Sequence, residues 1–278
     1  MDARRPLANV RRSIYANRGE KLKAYDAAGF PDKRRDEQKA CHCKRKNTGL
    51  KTRHSRKIYF MPNISPDLLA LGFIWYVVFL FSTTCHEAAH ALVAKMGGDE
   101  TAFLGGQVTL NPVPHIQREP WGMVIIPILM LVFTHSVIGW ASAPYDPHWE
   151  RRHPHRAAWM ALAGPATNYT LMVVAAILLR VGWHQGWLHQ GSFAENLIGA
   201  MFSLNLLLGT FNLLPVTPLD GSTAIMLFMG ETRAQRYLDW LRGNSYSVLG
   251  LVVALLAFRY VYAPIESFAR QVLLWSHF

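Results

Sequence analysis

The sequence predicts an all-α polytopic membrane protein with about four to five transmembrane helices and a re-entrant or hairpin segment after the first. Three observations carry that prediction. Apolar runs occupy about 67–85, 121–142, 157–181, 196–214 and 246–263, and each approaches the ~20 residues that carry a helix across ~30 Å of hydrocarbon. The charge is segregated: residues 1–58 hold 18 Lys+Arg against 6 Asp+Glu, and the remaining 220 residues hold 11 against 12. The overall figures, 51% hydrophobic and net charge +11, therefore average two unlike parts. After the head there is no repeat of solenoid length and no appended soluble domain.

The first part, residues 1–60, is a basic N-terminal extension without apolar periodicity or a signal-peptide core, so disorder or loose helix is expected. Its local cluster Cys41, His42, Cys43 lacks the second ligand pair of a zinc site. Three cysteines in all, two of them here, suggest no disulfide framework. Met61 opens MPNISPDLLALGFIW directly before the first apolar run. Residues 1–60 are accordingly expected to come from an over-extended reading frame, leaving 61–278 as the working domain.

The first helix ends in TCHEAAHA at 84–91, and ionisable groups in such a run are costly unless something gathers them. His86 and His90 are four residues apart, so on a helix they project from one face and can ligate one ion. Glu87, beside that face, is placed to take a proton from water at such an ion. The bland alternative is two interfacial histidines and a snorkelling glutamate. Far along the chain, FNLLPVTPLDGS at 211–222 puts Asp220 at the end of another apolar run. Two imidazoles and a carboxylate leave one tetrahedral position open, which distinguishes a catalytic zinc from a structural one. The competing reading makes Asp220 the cap of a helix beginning near Ser222.

HEAAH at 86–90, AGPATN at 163–168 and NLLPVTPLDG at 212–221 occur in the order used by the site-2 proteases, and the chain resembles that family of intramembrane zinc metalloproteases. TLNPVPHI at 109–116 is similar to the segment after the histidine helix in small bacterial members. The resemblance implies that His86, His90 and Asp220 hold Zn2+ and that Glu87 is the general base. It implies a place near the active site for Asn168, polarising the substrate carbonyl, and lesser roles for Asn212 and His115. Thr217 departs from the family pattern, where an apolar residue or proline is usual, and touches no ligand.

Both ligand segments carry their ligands late, so their helices must run in the same direction and an odd number of crossings must separate them. Two apolar runs intervene. The first, WGMVIIPILMLVFTHSVIGW, contains Pro127, His135 and Gly139 and is expected to be re-entrant. GGQVTLNPVPHI before it reads as a hairpin or extended loop, with GGQVTLN as an edge strand for β-addition of substrate. Lys95, Arg118, Arg151, Arg152, Arg156, Arg233, Arg236 and Arg242 then share one side, against Arg180, Arg259 and Arg270 on the other. That bias places the metal end toward the cytoplasm, in the cell membrane. It also places the basic head outside, against the same rule.

The function expected is intramembrane endoproteolysis of a membrane-anchored protein, with the lipid bilayer as the other partner and no nucleic acid. The alternative is a non-catalytic membrane adaptor or transporter retaining a structural or relict metal site. Glu87 argues against a structural site, which has no use for a base, and the polar groups gather near one level rather than along a transport path.

Overall fold

The computed structural model describes residues 66–134, 136–243 and 247–274. The basic extension 1–60 with Cys41, His42 and Cys43, the start at Met61, and His135 lie outside the described residues. The described chain is helical, with four helices long and apolar enough to cross a membrane. They are α1 (Pro66–Met96), α6 (Pro154–Gln185), α7 (Phe193–Asn212) and α10 (Ser247–Leu274). Short helices join them: α2 (Thr101–Leu104), α3 (Pro112–Arg118), α4 (Ile126–Thr134), α5 (Pro147–Arg152), α8 (Asp220–Ala224) and α9 (Glu231–Gly243).

α6 is the central helix, packed against α1 on one side and α7 on the other. Its contact faces are small: Ala157, Ala158, Ala161, Gly164, Ala175 and Ala176 are buried, with Ala157 packed against Ala94 of α1 and Ala175 and Ala176 on the side of α7. In lipid no hydrophobic force draws apolar helices together, so close backbone approach over small residues supplies the attraction. Larger side chains, including Met172, Leu179, Phe202 and Leu206, fill the gap between α6 and α7. α1 stops at Gly97 and Gly98, the latter at φ +94°, a left-handed conformation that glycine adopts without strain.

The expectation of a hairpin or extended loop over 105–116 holds as a loop for 105–111 and is corrected over 112–116. Residues 107–111 are irregular, no strand occurs among the described residues, and PVPHIQR is helix α3. Pro112 occupies the first turn, where a missing N–H costs nothing, and the Asn111 side chain accepts from the Val113 N–H as N-cap. The two prolines therefore start a helix here rather than break one. The edge strand for substrate addition falls, because 105–111 form no strand.

The run from 121 does turn back. A π-helical turn at Trp121–Ile125 leads into α4, and the pair with α3 is bent by 110°. The 14 helical residues from 121 to 134 span only ~21 Å at 1.5 Å each, short of ~30 Å of hydrocarbon. The chain then returns without helix, and the Trp140 N–H donates to the Gly122 carbonyl at 3.1 Å. Ser142 Oγ donates to Glu119 at 2.6 Å and Arg118 Nε donates to the Ser142 carbonyl at 3.0 Å. Residues 140–142 thus come back to the level of 118–122. A Cβ at Gly139 would collide with the Gly122 carbonyl, so the excursion closes on a glycine pair. With this segment re-entrant, only α6 crosses between α1 and α7, which makes those two helices parallel. We expect cysteines substituted at Arg118 and Ser142, in a background lacking the natural ones, to react with impermeant maleimide from one side and a cysteine at Gly186 from the other. Opposite-side labelling of 118 and 142 would mean a full crossing.

At the end of α1 the connecting segments form one polar layer. Asp99 accepts from the Thr101 N–H and hydroxyl and from the Asp146 N–H. Burial pushes the Asp99 carboxyl up, but these donated hydrogen bonds prevail and hold it below its ordinary value. Arg156 and the Trp149 indole donate to the Gly97 carbonyl, Arg151 pairs with Asp239, and Arg242 pairs with buried Glu150. Cationic residues on three separate segments, Arg151 of α5, Arg156 of α6 and Arg242 of α9, therefore belong to one face of the domain.

Candidate metal centre

His86 and His90 lie on the α6-facing side of α1, with His86 ten residues before the helix end and ~15 Å inside it by helical rise. Asp220 reaches them from the other direction. After α7, successive turns close through Val216 N–H to Leu214 C=O and Leu219 N–H to Val216 C=O, and α8 begins at Asp220. Only glycine fits at 221, because a Cβ there would run into the Leu213 and Leu214 carbonyls that end α7. Leu219, not Asp220, holds the N-cap position, so the carboxylate is free of capping duty.

The three side chains converge. His86 Nε2 lies 3.1 Å from Asp220 Oδ2, His90 Nε2 lies 3.4 Å from Asp220 Oδ1, and the two Nε2 atoms are 2.9 Å apart. Metal–ligand bonds of 2.0–2.1 Å at tetrahedral angles would separate ligand atoms by about 3.3 Å, which this spacing matches. The far side of each ring is committed. His90 Nδ1 donates to the Met160 carbonyl at 2.7 Å, and His86 Nδ1 faces Asn168 Oδ1 at 2.5 Å. With both Nδ1 atoms donating, two Nε2 lone pairs and a carboxylate point at one another, and a positive charge belongs among them. Gly164 of α6 supplies the room: a Cβ there would overlap His86 Nε2 and His90 Nε2 together. The donor set and this cradle fit a zinc ion.

Glu87 is 4% exposed, and its Oε2 is buried without a hydrogen-bond partner. A snorkelling glutamate would reach water, so that bland reading does not describe this side chain. Asn168 is wholly buried, and both ends of its amide are engaged within the protein, Oδ1 by His86 and Nδ2 by Asn205. The Asn168 amide oxygen thus faces His86, one of the three converging side chains. His115 is 2% exposed, with Nε2 on the Thr109 carbonyl and Nδ1 unpartnered. Asn212 is the half-buried last residue of α7.

The sequence profile of peptidase family M50 matches residues 181–257, which include Asp220. The chain is 31% identical over 170 residues to "Putative zinc metalloprotease YwhC" of Bacillus subtilis, across 60% of this chain and 70% of that one. The chain belongs to peptidase family M50, the site-2 protease family. It is also 28% identical over 146 residues to "Putative zinc metalloprotease Rip2" of Mycolicibacterium smegmatis, across 52% of this chain and 53% of that one. No solved structure matches it. With four helices among the described residues long and apolar enough to cross a membrane, this M50 chain is a multi-pass membrane metalloprotease.

Two polar residues of this M50 site lie outside the family motifs, Asn205 of α7 and Ser82 of α1, both fully buried. Sequence reading passes over them because each is an uncharged residue within an apolar run, FLFSTT and SLNLLLGTF. A polar side chain at membrane depth is itself the signal that could have found them.

Proposed function

We propose that the chain is an intramembrane zinc metalloendopeptidase that hydrolyses peptide bonds in or near transmembrane segments of membrane-anchored proteins. The observation that carries this reading is the convergence of His86, His90 and Asp220, whose donor atoms all lie within 4.8 Å of one another, beside an unpartnered Glu87 carboxylate oxygen. Its depth supports an intramembrane substrate: His86 is nine residues, ~13 Å of helix, inside Lys95, the first basic residue after the apolar run. The cationic layer on the same face supports a cytoplasm-facing site in the cell membrane.

In this reading His86, His90 and Asp220 hold the ion. Zinc, when bound, supplies Lewis acidity that lowers the pKa of a water and polarises a carbonyl. Glu87 accepts the proton of the attacking water at its buried carboxylate and delivers it to the leaving amide nitrogen. Asn168 keeps His86 turned so that Nε2 faces the centre, and Met160 does the same for His90 through its carbonyl. Purified protein is expected to carry one zinc per chain and to cut a membrane-anchored reporter, with both lost in Asp220→Ala. Undiminished zinc content in that variant would remove Asp220 from the ligand set and the proposal with it.

A further inference from the structure

The hydrogen bonds behind His86 continue beyond Asn168. Asn205 Nδ2 donates to the Met201 carbonyl at 2.8 Å and to Ser82 Oγ at 2.8 Å, and Asn168 Nδ2 donates to Asn205 Oδ1 at 2.9 Å. Ser82, Asn168 and Asn205 are each 0% exposed, so the protein itself meets their polar demands. The directions of these bonds follow from one fixed point. A backbone carbonyl only accepts, so the Asn205 amide nitrogen must face Met201 and its oxygen must face Asn168. Asn168 must then present its nitrogen to Asn205 and its oxygen to His86. An oxygen at 2.5 Å from His86 Nδ1 requires that nitrogen to carry the proton. Ser82 stands one helical turn before His86 on α1, so the chain of bonds runs from α1 through α7 and α6 back to α1.

We infer that Asn205 is a positioning residue which, through Asn168, fixes the proton of His86 on Nδ1 and so keeps Nε2 available to a metal ion. This rests on the proposed zinc site and adds a residue that neither touches the ion nor belongs to the motifs around it. A leucine at 205 has similar volume but removes every directional constraint on Asn168, whose amide is then free to turn its nitrogen toward His86. The imidazole must answer by accepting at Nδ1 and moving its proton to Nε2, where it competes with the ion.

The test uses 15N-histidine-labelled full-length protein, first metal-free at alkaline pH. The His86 signals are assigned by their loss in His86→Gln. Wild type is expected to show the proton on Nδ1 and Asn205→Leu to show it on Nε2. In chelator competition, zinc affinity is expected to fall about 10–100-fold in Asn205→Leu, the range for loss of an outer-shell partner. Asn205→Asp is expected to restore both, since a buried neutral carboxylic acid can donate to Met201 and accept from Asn168. If Asn205→Leu does not accumulate, Asn205→Ala carries the same expectations. Retention of the proton on Nδ1, or zinc affinity within threefold of wild type in a chain that binds zinc, overturns the inference. A wild type that binds no zinc, with the proton still moving from Nδ1 to Nε2 in Asn205→Leu, overturns the proposed function and leaves the relay standing.

Discussion

Glu87→Gln is expected to lower kcat/KM for a membrane-anchored reporter by about 10³, within the range that a positioned acid–base group contributes. Glutamine has the size of glutamate, so the packing of α1 near Glu87, itself only 4% exposed, is preserved. It lacks the basic oxygen, and the Oε2 of Glu87 is buried with no hydrogen-bond partner. Because His86, His90 and Asp220 are untouched, zinc content measured by mass spectrometry should stay at wild-type level while cleavage disappears. Activity within tenfold of wild type would assign the base elsewhere, and loss of zinc together with activity would make Glu87 a structural contributor.

Gly164→Ala is expected to do the reverse, removing the ion while leaving the base in place. The added methyl would occupy the space of both Nε2 atoms at once, and neither ring can yield freely. His90 is held behind by Met160 and His86 by Asn168. Rings pushed off their partners lose the convergence, and zinc affinity should fall about 100-fold or more, at or beyond the upper end of outer-shell losses. Overpacking adds about 1–3 kcal/mol of destabilisation. Metal competition and thermal unfolding in detergent read the two effects separately. A Gly164→Ala protein with native zinc affinity would show that α6 does not press on the imidazoles as described.

The spanning helices were legible because lipid leaves the backbone no alternative to internal hydrogen bonding, so a crossing segment must declare itself as a continuous apolar run. Parity supplied more: two ligand-bearing helices that must be parallel required one incomplete crossing, and the contact between Trp140 and Gly122 shows that 121–134 is that segment. The spacing of His86 and His90 announced a shared face from helix geometry alone. Helix over 112–116 was hidden in the sequence because proline signals interruption without saying which side of a helix it interrupts. Pro112 sits inside the first turn, where it favours helix. The contact between Asn168 and His86 lay beyond sequence reading for another reason. Which group an amide contacts depends on a carbonyl at Met201, and no local pattern encodes that meeting.

The last helix differs from the other three in how much of it the protein encloses. Only 6% of the apolar stretch of α10 is buried, against 39–44% for α1, α6 and α7. Exchanges among leucine, valine, isoleucine and phenylalanine at exposed positions such as Val253, Leu255 and Leu256 change one oily surface facing lipid for another. At Ala157 or Ala158, fully enclosed between helices, the same added carbons have nowhere to go. Tolerance to drift is thus uneven along the chain: the C-terminal helix can wander through sequence space at little cost, while the central helix is confined to its alanines and glycines.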